Sequence, residues 1–239
     1  MKFNPAKCSL LRITKKRRSI ETTYSMRGAD LQQVDNHPYL GVEFSSKMDW
    51  GVHINNVTSK ARKSLNFLQR NLYKCPEKIK QQAYTSLVRP ILEYSCTAWD
   101  PYFQKHISAL ESVQRKAARF VKGNYQRTAS VSQMLQELKW PSLQDRRTVA
   151  RLTMLFKINS HELPITIPEK FIPVANNPNR PVTRSQRPSQ YINYSARTEA
   201  YKNSFYPRTI QQWNRLPATI IKESTSAKSF NTKVWSYMQ

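Results

Sequence analysis

Acidic residues are scarce in this chain. Its 15 Asp and Glu face 39 Lys and Arg, a formal net charge of +24 at pH 7. A compact body under that self-repulsion keeps a polyanion as its natural partner. Glycine is scarcer still. Gly28, Gly41, Gly51 and Gly123 are all isolated, which excludes a Walker-type phosphate loop and the glycine-rich dinucleotide fingerprint. Cys8, Cys75 and Cys96 are odd in number and far apart. They form no disulfide framework and fit a reducing compartment. No close Cys/His cluster suggests structural zinc. No apolar run approaches the ~20 residues of a spanning helix, so no membrane span is expected. The start, MKFNPAKCSL, is polar with no apolar region behind it, so no signal peptide is expected.

What remains is a chain of 239 residues, 39% apolar, with a mean hydropathy of -0.68. That suffices for a real core under a heavily solvated surface. Residues 8–46 read as strands. CSLLRIT is followed by the basic turn Lys15-Lys16-Arg17-Arg18, a solvated hairpin tip or a nuclear-import patch. RGAD has turn chemistry at Gly28, and YLGVEF (39–44) reads as one short strand.

After Asp49 the apolar period lengthens. Ile54, Val57, Ala61, Leu65, Leu68 and Leu72 share one helical face. Lys60, Lys63, Arg70 and Lys74 belong to the solvent side of the same helix. Pro76 opens another helix, with Ile79, Ala83 and Leu87 as its expected face. A third runs from about His106 to Lys122, with Leu110, Val113, Ala117, Phe120 and Val121 inward and Arg115, Arg119 and Lys122 outward. Gly123 stands where a left-handed cap belongs. Ser130 and Ser142 open further helices, the second with Asp145 placed for a capping box. Residues 171–198 carry four prolines, four arginines and no acid, which reads as a basic linker or arm. Two short helices follow, carrying Trp213 and Phe230. The expected fold is mainly α: a β region at 1–46, a helical body at 47–163, a linker at 164–198 and a short helical region at 199–239.

LVRPILEYSCTAWDP (87–101) invites a catalytic reading, because it holds two of the rare carboxylates, Glu93 and Asp100. Seven residues apart on a continuous helix, they would lie about 10 Å from each other, too far to share one metal ion. Trp99-Asp100-Pro101 instead reads as a helix exit, and Glu93 as a buried partner for Arg89 four residues back. None of His37, His53, His106 and His161 sits in a nucleophile context. Nucleic-acid binding is the better supported chemistry. The two basic helix faces space charges by successive turns, as phosphate tracking requires. Tyr201, Phe205 and Tyr206 could stack on bases or fill a small core.

Eight segments then form a series. MKFNPAKCSLLRITKKR, YLGVEF, Trp50 to Ile54, KARKSLNFLQRNL, AYTSLVRPILEYSCTAWDPY, LESVQRKAARFV, LKWPSLQDRR and SFYPRTIQQWNRLP occur in this order. Together they resemble the C-terminal part of reverse transcriptases from non-LTR retrotransposons, the jockey-like LINE elements. The resemblance implies a palm end at 1–46 and a thumb beyond it. Tyr39, Leu40, Gly41 and Val42 are then primer-grip-like, and the basic helices hold a template-primer duplex of RNA and DNA. The family uses Mg²⁺ on paired aspartates, yet no Asp-Asp pair occurs here. The expectation is therefore a catalytically inactive C-terminal fragment with no cofactor of its own. An independent nucleic-acid-binding protein derived from the element, or a relic reading frame, remains open.

Overall fold

The computed structural model describes residues 4–14, 22–174, 190–192 and 195–238. The basic turn at 15–18 and most of the basic stretch 171–198 lie outside them. The fold is mainly α, 56% helix against 10% strand. It divides into two compact units, one of residues 1–95 and 103–140, the other of residues 96–102 and 141–239.

The first unit opens with three separate two-stranded pairings. Strands β1 (Ser9–Leu11) and β4 (Gln32–Val34) run parallel, with Leu10 opposite Gln33. Strands β2 (Ser25–Met26) and β3 (Ala29–Asp30) close a hairpin over Arg27-Gly28, both at positive φ, as RGAD leads one to expect. Strands β5 (Asn36–Tyr39) and β6 (Val42–Ser45) form a second hairpin. YLGVEF is thus not one strand, because Leu40-Gly41 is its turn. Their φ values of 47° and 79° are those of a type I′ turn, which matches the twist of the flanking strands. Gly41 is needed twice over, since a Cβ there would lie 3.2 Å from Tyr94 Cε1.

Helix α1 (Gly51–Asn71) starts beside Asp49, whose carboxylate accepts the Gly51 amide at 2.8 Å. Ile54, Ala61, Leu65 and Leu68 bury its apolar face. The chain returns through α2 (Glu77–Ala83), a π turn (Tyr84–Val88) and α3 (Arg89–Glu93). The π turn has a local cause. Pro90 has no amide to give Ser86, and its ring crowds that carbonyl, so the ladder widens just upstream. Each π bond spans one extra residue, so residues four apart stay on one face. Lys80, Tyr84, Val88 and Leu92 are therefore the buried row, while Ile79 and Leu87 stay exposed. That corrects the expected Ile79–Ala83–Leu87 face. Lys80 tolerates burial by laying its ammonium 5.5 Å from the Phe120 ring centroid. Helix α5 (Gln104–Lys122) ends at Gly123, at φ 65°, as expected. Helix α6 (Val131–Glu137) is capped by Ser130, and Trp140 stacks on Tyr84 at 4.4 Å.

The second unit is built on α7 (Leu143–Asn159), which Ser142 caps as expected by accepting the Asp145 amide, while its hydroxyl donates to the Asp145 carboxylate in place of the second backbone bond of a capping box. α7 lies in this unit together with the C-terminal helices. α8 (Glu199–Lys202), α9 (Phe205–Trp213), α10 (Ala218–Lys222) and α11 (Ala227–Met238) complete it. Phe230 stacks between Phe156 at 4.5 Å and Trp213 at 5.4 Å. The flanks of the expected linker join this core. Phe171 and Tyr191 are buried in it, and Asn214 brackets the Tyr191 backbone by accepting from its N–H and donating to its C=O.

Asp100 is the electrostatic centre of this unit. It follows α4 (Cys96–Trp99), and its carboxylate lies 2.7 Å from Arg147 Nε, 2.7 Å from Arg151 Nε and 3.3 Å from Arg208 Nη1. Arg208 also donates to the carbonyls of Asp100 and Pro101. One acid thereby ties the 96–102 segment to α7 and α9. Asp100→Asn strands buried guanidiniums and should cost about 3–5 kcal/mol. Hydrogen exchange checks this: amides of α7 and α9 should exchange faster while those of α1 hold their protection.

Candidate nucleic-acid interface

α1 contains no acidic residue, and α5 contains one, Glu111. The two helices pack against each other in parallel. Arg62 donates to Ser112 at 3.0 Å, and four residues further on Lys116 donates to Asn66 at 2.7 Å. Both pairs span 50 residues, so the two chains advance together. The antiparallel return through α2 and α3 makes this arrangement possible.

The sides of α1 and α5 away from the core flank this seam. On α1, Lys60, Lys63 and Arg70 are exposed, and Phe67 joins them at 56% exposure. At 100° per residue these four lie within one sector, opposite Ile54 and Leu65. Lys63 and Arg70 stand two turns apart, ~10.5 Å along the axis. Lys74 follows the helix, with its ammonium 5.5 Å from the Tyr73 ring centroid. On α5, Arg115 is exposed beside Lys116. With helix axes packed ~8–10 Å apart, Arg115 and Lys116 stand beside the column of cations on α1.

Two expected members of this surface are engaged elsewhere. Lys122 lies 3.1 Å from Glu77 and 2.9 Å from Glu137, joining α5 to α2 and α6. Its hydrogen bonds to Glu137 and Glu77 raise its pKa, and the one from Lys122 lowers that of Glu137. Lys122 therefore clamps three helices together, because its helix end faces two of the few carboxylates available. Arg119 is half-buried and donates to the Gln126 carbonyl at 2.8 Å, which closes the turn after Gly123. Arg89 and Glu93 are both half-buried and stand at the two ends of α3.

Tyr39, Leu40, Gly41 and Val42, the segment expected to be primer-grip-like, form the tip of the second hairpin. Tyr39 and Leu40 are exposed, the latter at 74%, while Val42 is buried. An apolar residue at positive φ and in solvent is a strained choice for a turn. Tyr94 donates from its hydroxyl to the Leu40 carbonyl at 3.1 Å. Between this tip, α1 and α3 lies a groove lined by Leu40, His53, Lys60, Ile91 and Tyr94. The hairpin is tied to α1 from below. His53 Nδ1 accepts the Glu43 amide at 3.2 Å, and Phe44 meets Trp50 edge to face at 5.6 Å.

Sequence reasoning overlooked the Asp100 arginine cluster and the clamp at Lys122. Two of the three aromatic residues it weighed for base stacking, Tyr201 and Tyr206, pack against the second unit's core. Tyr206 stacks on Phe171 at 5.1 Å, and Trp213 is fully buried. Among the described residues no three His, Cys, Asp or Glu side chains converge as a metal site would require. No helix among them is long and apolar enough to cross a membrane. No protein-family model, curated protein or solved structure matches the chain.

The junction of β6 and α1 has a definite pH response. Burial lowers the pKa of His53. It also lowers that of His106, more than Asp49 at 3.9 Å raises it. The unfolded chain therefore binds more protons than the folded one below pH ~6.5, and stability falls with pH from there. Protonated Nδ1 also cannot accept the Glu43 amide. Amide exchange at Glu43, corrected for its intrinsic pH dependence, should speed up between pH 7.5 and pH 5. His53→Gln should flatten that response.

Proposed function

We propose that this chain is a thumb-bearing part of a LINE-type RNA-directed DNA polymerase that contributes a template-primer-binding surface and no catalysis. The observation that carries the reading is the parallel pair of α1 and α5. Its solvent side presents Lys60, Lys63, Arg70 and Arg115 with no acid on α1 to answer them. Burying apolar faces does not require such an imbalance. A duplex backbone, with one charge per ~1.7 Å, supplies the missing counter-charge. The groove at the hairpin tip borders the same surface through Lys60, which supports placing a strand end near Tyr39, Leu40 and Gly41. The absence of adjacent aspartates from the sequence supports the non-catalytic half of the proposal.

Affinity for an RNA–DNA duplex should fall steeply with salt, with a log–log slope of about -5 for roughly six neutralised phosphates. Lys63→Glu with Arg70→Glu and Arg115→Glu should flatten that slope, whereas Lys122→Met should lower the melting temperature and leave it intact. Absence of binding at low salt sinks the proposal. Primer extension by this chain alone with Mg²⁺ would overturn its non-catalytic half.

A further inference from the structure

The Asp100 cluster does not balance. Three guanidiniums, those of Arg147, Arg151 and Arg208, surround one carboxylate, leaving two positive charges in excess. Among the described residues no other carboxylate lies within ion-pair distance of the three. The remaining acids of this unit have other places. Asp145 caps α7, Glu199 pairs with Lys202, Glu223 pairs with Lys233, and Glu162 and Glu169 are exposed. Residues 175–189 contain no acid that could supply the charge.

The excess is concentrated on Arg147. Its side chain is 0% exposed, and Nε is committed to Asp100. Nη1 and Nη2 are both buried with no hydrogen-bond partner among the described residues. Arg151, by contrast, spreads its donors over Thr148, Thr209 and Gln212. Its pKa is nevertheless pushed down to about 10, by burial first and by Arg208 and Arg147 as well, against the pull of Asp100. Buried guanidinium donors without an acceptor are costly. A site this short of negative charge attracts an anion.

We propose that the second unit binds a small inorganic anion of halide size against Nη1 and Nη2 of Arg147, admitted past Arg208. Arg208 is the most accessible of the three, with its side chain 15% exposed. Full burial of Arg147 keeps a strand phosphate out, so this site is separate from the α1–α5 surface. The anion completes the neutralisation that Asp100 begins and stabilises the unit by mass action.

The test uses the full chain in thermal melts at fixed ionic strength, with chloride or bromide replacing the bulky monoanion gluconate. The midpoint should rise by about 2–4 °C and saturate. Lys63→Glu should retain the rise, and Arg147→Met should lose it. If Arg147→Met does not fold, Arg208→Gln should shift saturation to higher halide. Crystals in bromide should show anomalous density within hydrogen-bonding distance of the Arg147 terminal nitrogens. An equal rise in all variants, no rise, or bromide only at surface positions (an adventitious ion only) overturns the proposal.

Discussion

The constraint on which this structure depends is the shortage of carboxylates. With 15 acids against 39 Lys and Arg, the fold cannot pair its cations evenly. Several of its acids hold positions where separate segments meet. Asp100 gathers three arginines from two helices, and Asp49 meets the start of α1 and His106. Glu77 and Glu137 converge on Lys122. Each is a point where helix ends or distant segments meet. The consequence appears on α1, which has none. Its cations stay unmatched, and the α1–α5 seam is held by neutral acceptors, Ser112 and Asn66. Surface ion pairs contribute little to stability, so leaving this face unpaired costs the fold little and leaves it available to a polyanion.

The two units use this economy differently. In the first, Lys122 and its glutamates are half in solvent, and packing carries the stability through the row Tyr84, Val88 and Leu92. In the second, the ionic centre is buried, and the stacked rings of Phe156, Phe230 and Trp213 lie in the same unit. A buried ionic centre is weak evidence for stability but fixes which segments may meet. Here it fixes the 96–102 segment, 47 residues before Arg147 and 108 before Arg208, onto its helices.

What could be read from the sequence was local. The caps at Ser130, Ser142 and Gly123 each depend on a few consecutive residues, and each stands as expected. The faces of α1 and α5 followed from a plain 3.6-residue period. The face of α2 and α3 did not, because Pro90 shifts the period through a π turn that no helical template contains. Leu40-Gly41 was hidden within an apolar run, since leucine rarely occupies positive φ. The Asp100 cluster was out of reach for a different reason. Arg147, Arg151 and Arg208 look like any solvated bases until tertiary folding places them on one acid. By the same logic the helical phase of Lys122 says nothing of Glu77 and Glu137, which folding brings beside it.

The central claim is that the unmatched cations of α1 and α5 are the polyanion-binding surface, while cations held by the scarce acids are not. Lysine-labelling footprints with and without an RNA–DNA duplex test it most directly. The account predicts protection of Lys60 and Lys63 on duplex addition, with Lys122 and Lys233 unchanged because their glutamates already hold them. Protection confined to the C-terminal helices, or spread evenly over all lysines, would contradict it.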